Sequence, residues 1–231
     1  MAETHNPAPV SRQRGWRLAV KKILDRVVAL VALVLLSPLL LVLAVVVLAG
    51  MGWPIFFRQQ RPGFRGRPFR VVKFRTMNDA RDASGQFLPD SQRLTRAGTF
   101  LRHTSLDELP QFWNVLLGQL SLVGPRPLLM QYLPRYSTEQ ARRHDVLPGI
   151  TGWAQINGRN DLPWAQKFAL DVWYVDHWSL GLDARILLKS FWQVLKREGV
   201  SRQGYATTVE FMGDEAPEPL VPPVEHAVRK P

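Results

Sequence analysis

The sequence predicts an α-dominant α+β protein, monotopic on a membrane, with a re-entrant helix-break-helix, amphipathic interfacial helices and a small β-hairpin. Three observations lead there. Val27 to Ala49 runs for twenty-three residues without a charge and has Ser37-Pro38 at its middle. Two β-prone runs, IFFRQQ and PFRVVKFRTM, flank the loop RPGFRGR, the pattern of a hairpin with a long turn. Helical spacing then fills the chain from Trp113 onward, which holds six of the eight tryptophans.

A straight helix over the uncharged stretch would reach roughly 35 Å at about 1.5 Å per residue, enough to cross a bilayer. Pro38 argues against that, because an interior proline removes a backbone donor and presses on the carbonyl four residues back. Each arm then reaches only about half way across. The flanking charges agree. Arg12, Arg14, Arg17, Lys21, Lys22 and Arg26 precede the stretch, and Arg58, Arg61, Arg65, Arg67, Arg70, Lys73 and Arg75 follow it. A spanning helix carries its excess of Lys and Arg on one side. Near-equal flanks favour a hairpin with both ends on the cytoplasmic face; a kinked spanning helix is the alternative. A cleavable signal peptide is disfavoured by the length of the run and the lack of a small-residue cleavage site.

The remaining chain is long enough for one core. Expected divisions are a basic lead-in at 1–22, the re-entrant segment at 23–57, a cytoplasmic catalytic domain at 58–213 and a disordered Pro-rich tail at 214–231. The net charge of +11 suits nucleic acid or an anionic surface and substrate, and beside a membrane segment the second is favoured. No cysteine is present, so disulfides and thiolate zinc sites are excluded.

Taken in order, residues 1–14 read as disordered, and Gly15 to Arg26 alternate basic and apolar groups as a helix lying at the lipid surface would. Gly50 to Pro54 form an interfacial exit carrying Trp53. After the hairpin, residues 78–93 are a polar loop with at most a helical turn. Ser105 and Glu108 fit a capping box that opens a helix through Phe112, Val115 and Leu116. The segment PGITGWAQINGRNDL at 148–162 reads as a structured loop. Helices follow from about Pro163 to His177, and from about Asp183 to Glu198 with Gly199 as the cap. Trp113 and Trp173 are expected in the core; the other late aromatics, near Lys167, Lys189 and Lys196, suit an interface.

Asp107 and Glu108 are the candidate chemical pair. Adjacent helix residues point about 100° apart, so they do not straddle one bond as a glycosidase pair does. One carboxylate attacking or binding metal while the other orients metal or acceptor fits better. A phosphate beside them needs cations, which Arg102, Arg126 and a hard ion such as Mg²⁺ would supply. The alternative is that both acids merely complement a helix dipole. Gly124-Pro125-Arg126-Pro127 holds a guanidinium in a rigid loop suited to phosphate. Lys73 and Arg75, on the hairpin, are candidates to face substrate or lipid headgroup, with plain surface charge as the alternative, and Arg159 in the Gly/Asn-rich loop is a further substrate-binding candidate. His103, His144 and His177 lack metal-ligand spacing, and no Walker A or dinucleotide glycine motif occurs.

The re-entrant Ser-Pro segment, FFRQQRPG, VVKFRTM, LTRAGTFLRHTSLDELPQFWNVLLGQLSLVGPRPL, PGITGWAQINGRN and DVWYVDHWS together resemble the monotopic phosphoglycosyl transferases, the bacterial sugar transferase family, over about residues 20 to 213. The resemblance implies transfer of a sugar 1-phosphate from a UDP-sugar to polyprenyl (undecaprenyl) phosphate, with release of UMP and use of Mg²⁺. It makes Asp107 the nucleophile of a covalent phospho-sugar intermediate and Glu108 its partner for metal and acceptor. It places Lys73, Arg102 and Arg126 around the phosphates, and the protein on the cytoplasmic face of a bacterial inner membrane. The short chain resembles the minimal form, and GVSRQGYATTVEFMG resembles the diacetylbacillosamine branch. A non-catalytic basic protein binding lipid or nucleic acid is the competing expectation, and a direct glycosyltransferase releasing UDP is another. The oligomeric state and the sugar are left open.

Overall fold

The computed structural model describes residues 11–158, 162–196 and 210–213. Arg159, the cap expected at Gly199 and the tail from Asp214 lie outside these residues.

Helices α1 (Gly15–Leu35) and α2 (Ser37–Met51) meet at a bend of 65°. Pro38 has no N–H for the carbonyl four residues back, and Ser37 Oγ donates to that carbonyl, Val34 O, at 2.8 Å. No single helix among the described residues is long and apolar enough to cross a membrane, although the bent pair passes that test together. Much of its apolar surface faces outward, with Leu35 73% and Leu41 68% exposed, while Ala29, Leu43 and Val47 face protein.

The lead-in helix packs one face against protein. Lys21 and Asp25 are buried. Lys21 Nζ donates to Asp183 Oδ2 at 2.6 Å, and Ser121 Oγ donates to Asp25 Oδ2 at 2.7 Å. Tyr174 Oη and Trp178 Nε1 donate to Asp183 at 2.7 and 3.1 Å. Helical periodicity shows a polar stripe but not what that stripe meets. Here it meets Asp183 and Ser121, brought from far along the chain.

Strands β1 (Phe56–Pro62) and β2 (Pro68–Phe74) form the expected antiparallel hairpin, with Phe57 opposite Lys73 and Arg61 opposite Phe69. Alternation puts Phe57, Gln59, Arg61, Val71 and Lys73 on one face. The polar loop contains the single turn α3 (Asp90–Arg93) and leads to α4 (Arg96–His103). Thr95 caps α4, its Oγ1 accepting from Gly98 N at 3.0 Å. Gly98 lies flat on the chain leaving β2, where a Cβ would stand 1.8 Å from Thr76 O.

The expected capping box is not formed. Ser105 adopts φ 57°, ψ 17° and its hydroxyl caps nothing. Leu106–Glu108 make one 3-10 turn, and α5 (Gln111–Leu116) starts afresh after Pro110. Pro110 would oppose one helix running from Ser105 onward, so the chain divides there. Asn114 ties α5 to the hairpin: its amide donates to Arg70 O at 2.8 Å and its carbonyl accepts from Val72 N at 3.0 Å.

Strand β3 (Ser121–Val123) precedes a long irregular stretch containing α6 (Thr138–Ala141). The segment read as loop from 148 contains β4 (Gly149–Thr151), parallel to β3, and the short α7 (Trp153–Ile156). Three-residue elements carry too little periodicity to be read locally. Helices α8 (Trp164–His177) and α9 (Leu180–Lys196) close the fold. Their inner faces join Val115, Leu120, Leu122 and Val146 in the main core. Trp178 is in that core, whereas Trp113 and Trp173, expected inside, are 51% and 37% exposed. Trp173 stacks on Trp153 at 4.8 Å instead. Leu188, Phe191 and Trp192 remain exposed on α9.

Candidate active site

Four elements converge on the acidic pair. The 3-10 turn presents Asp107 and Glu108, β2 presents Lys73, α4 presents Arg102 and the loop after β3 presents Arg126. Lys73 Nζ and Arg126 Nη2 each donate to Glu108 Oε1 at 2.6 Å, and Arg126 Nη1 reaches Oε2 at 3.5 Å. Arg102 Nε donates to Thr76 Oγ1 at 3.0 Å while its charge acts on Asp107.

The two carboxyls are held in opposite electrostatic states. Burial, then the charge of Glu108, push Asp107 up to about 6, against the pull of Lys73, Arg126 and Arg102. Burial also acts to raise Glu108, but Arg126 and Lys73 outweigh it and hold that carboxyl well below the usual range. Glu108 is therefore a fixed anion clamped by two cations. Asp107, buried and in no ion pair among the described residues, is the more basic carboxylate and the one available to react.

Arg126 owes its position to backbone packing. A Cβ on Gly124 would lie 2.3 Å from Leu147 O, and one on Gly149 would lie 2.1 Å from Gly124 N. Pro125 O accepts from Gly149 N at 3.0 Å. Gly124 and Pro125 thus fix the loop rather than contribute side-chain chemistry. Arg75 is not brought to the pair: its guanidinium donates to Met77 O at 2.8 Å and Trp53 O at 3.2 Å and pairs with Asp79 at 2.7 Å. It ties the exit of α2 to the end of β2.

A cavity of about 210 Å³ opens beside the pair, walled by Lys73, Arg126 and the hairpin face carrying Arg61. A sequence profile described as "Bacterial sugar transferase" matches residues 16–197. The chain belongs to the bacterial sugar transferase family. The expected enzyme class, a phosphoglycosyl or sugar-1-phosphate transferase, follows from that membership. The chain is 53% identical over 196 residues to the Bacillus subtilis (strain 168) "Uncharacterized sugar transferase EpsL", covering 85% of this chain and 97% of that protein. It is 42% identical over 192 residues to the "UDP-glucose:undecaprenyl-phosphate glucose-1-phosphate transferase" of Xanthomonas campestris pv. campestris. The protein of that name from Escherichia coli (strain K12) is 41% identical over 183 residues. These matches cover 78% and 75% of this chain but only 40% and 39% of the two longer relatives.

Several residues of the transferase site carry no local signal in the sequence. Arg143 is buried on Asp171, with bonds of 3.1 and 2.7 Å, and donates to Arg126 O at 2.8 Å. It anchors the backbone of the loop carrying Arg126 from 17 residues away. Gln111 is buried in the cavity wall, and its Nε2 has no hydrogen-bond partner among the described residues. Arg61 donates to Gln59 Oε1 at 2.6 Å and Pro127 O at 3.4 Å, both neutral. Burial and neighbouring Arg126 push its guanidinium down to about 10. A hydrophobic-periodicity reading treats all three as ordinary polar positions; only the tertiary contacts distinguish them.

The donor set bears on the expected Mg²⁺. No group of three or more His, Cys, Asp or Glu residues is placed to hold a metal among the described residues. Mg²⁺ is ordinarily held by one or two carboxylates, substrate phosphates and water. Asp107 and Glu108 fit that sparse mode, with Asp107 the readier ligand because Glu108 is engaged by Lys73 and Arg126.

Proposed function

We propose that the transferase moves a sugar 1-phosphate from a UDP-sugar to a polyprenyl phosphate such as undecaprenyl phosphate. UMP leaves, and an aspartyl phospho-sugar forms in between. The observation that carries this reading is the division of states at the pair: a buried, relatively basic Asp107 beside a Glu108 clamped by Lys73 and Arg126. A carboxylate oxygen of Asp107 forms a bond to the sugar-side phosphorus while the bond to the bridging oxygen breaks, and UMP takes the electron pair. An oxygen of the lipid phosphate then attacks the same phosphorus and returns the carboxylate. Dividing the transfer lets two bulky substrates of unlike solubility bind in turn. Lys73, Arg102 and Arg126 neutralise the phosphates. Mg²⁺ bound through Asp107 and Glu108 would supply additional charge stabilisation.

The setting we propose is a bacterial cytoplasmic membrane, with α1 and α2 dipping into one leaflet and the catalytic part on the cytoplasmic side. The exposed apolar pair and the outward Leu188, Phe191 and Trp192 of α9 support it. The names of the longer relatives suggest a glucose donor, whereas the chain ending resembles the acetamido branch. The test is a panel containing UDP-glucose, UDP-galactose and acetamido UDP-sugars with undecaprenyl phosphate. UMP as the nucleotide product supports phosphosugar transfer. Release of UDP would make the protein a direct glycosyltransferase, and absence of turnover across the panel would favour a non-catalytic binding protein.

A further inference from the structure

Arg61 is the unusual cation of the site. Lys73 and Arg126 are already paired with Glu108 and meet a phosphate with their charge partly offset, whereas Arg61 has no carboxylate partner among the described residues, and its bonds go to an amide and a carbonyl. It shares the cavity-facing side of the hairpin with Lys73, four residues along β1 from Phe57, the partner of Lys73. At about 3.3 Å per residue, the two backbone positions are separated by roughly 13 Å along the strands. The cavity thus has Lys73 and Arg126, the two cations that hold Glu108, in its wall, and Arg61 further along the same hairpin face. Gln111 adds a buried, unpartnered donor to its wall.

Chemistry supplies the occupant, given the two-step transfer proposed above, on which this inference rests. Phosphoryl displacements run in line, with entering and leaving oxygens at opposite apices of phosphorus. If Asp107 takes one apex in both steps, the oxygen of departing UMP and the oxygen of the arriving lipid phosphate take the other in turn. Both belong to phosphate monoesters, and negative charge grows on the first as it leaves. A cation not already neutralised by a carboxylate gives that group the greatest stabilisation.

We propose that Arg61, with Gln111 beside it, forms a single phosphate subsite used twice, first by the phosphate of UMP and then by the phosphate of the polyprenyl acceptor. The two ligands therefore compete for this one subsite.

The test uses the full chain in nanodiscs, with UMP and uridine titrated by calorimetry and undecaprenyl phosphate as competitor. UMP is expected to bind, to be displaced competitively by undecaprenyl phosphate, and to lose affinity about tenfold or more in Arg61→Gln. The acceptor KM should rise by a similar factor, uridine binding should not change, and Arg61→Lys should recover part of both losses. Circular dichroism shows that each variant is folded, and adduct formation from donor alone, read by intact-protein mass, should be slower in Arg61→Gln but still reach Asp107. Simultaneous binding of UMP and acceptor would overturn the shared subsite, as would a loss confined to one of them. An equal loss in Arg58→Gln, on the opposite face of β1, would reduce the effect to overall charge and also overturn it. If wild-type protein turns substrate over without forming any adduct, the two-step reading itself falls, which is a different result.

Discussion

Asp107 combines burial with a like-charged neighbour, and both raise the free energy of its ionised form. An uncharged isostere relieves that penalty. Asp107→Asn should abolish adduct formation yet raise stability above about pH 6, by up to about 3 kcal/mol for a displacement of roughly two pH units. The sign follows from the raised carboxyl: protonation favours the folded state, so the native penalty is full above about 6 and absent below the ordinary value of 3.8. Thermal melts near neutral and acid pH check this, and equal melting shifts at both would refute it. The reaction should show the same titration from the other side. Adduct formation needs the carboxylate, so its initial rate should fall towards acid with a midpoint near pH 6. A rate flat down to about pH 4.5 would mean that another group attacks. Arg143 lends itself to a different measurement. Arg143→Met leaves Asp171 buried without its partner, a loss of about 3–5 kcal/mol, and frees the Arg126 carbonyl. Chemical denaturation should register it, with a rise in donor KM if the fold survives.

The elements show where local patterns sufficed and where they failed. The hairpin was legible because alternating strands around a Gly/Pro loop have one natural arrangement. The break at Ser37-Pro38 was legible because proline lacks a donor whatever surrounds it. By contrast, the Ser105 box looked complete, but Pro110 and the tertiary placement of α4 and α5 made a 3-10 turn the better solution. Strand β4 escaped notice because its partner β3 lies far upstream and neither is long enough to show a period. α4 provides the element-level prediction. Gly98→Ala drives a methyl carbon into Thr76 O, so backbone must shift at a cost of about 1–3 kcal/mol or more. Arg102 should move with it. A lower melting temperature together with weakened donor binding is expected; an unchanged protein would show that α4 has room to spare.

Across the whole molecule, the bent pair is joined to the catalytic core rather than hinged on it. Lys21, Asp25, Ser121, Tyr174 and Asp183 form a buried network crossing from α1 to β3, α8 and α9, which fixes the first apolar arm to the core. Cysteines introduced near Lys22 and near Arg58 should therefore react with a membrane-impermeant reagent from the same side of a vesicle. Reaction from opposite sides would mean that the pair spans. What the sequence by itself determined was what is encoded locally: an uncharged run with a donor missing at its centre, a hairpin, a run of helices and an adjacent acid pair amid Arg and Lys. The tertiary structure alone decided which cations meet Glu108, why Asp107 is left basic, and that Arg61 and Gln111 face the same cavity. Those outcomes depend on distances and burial between residues far apart in the chain, and no local periodicity records how deeply a charge lies or which opposite charge reaches it first.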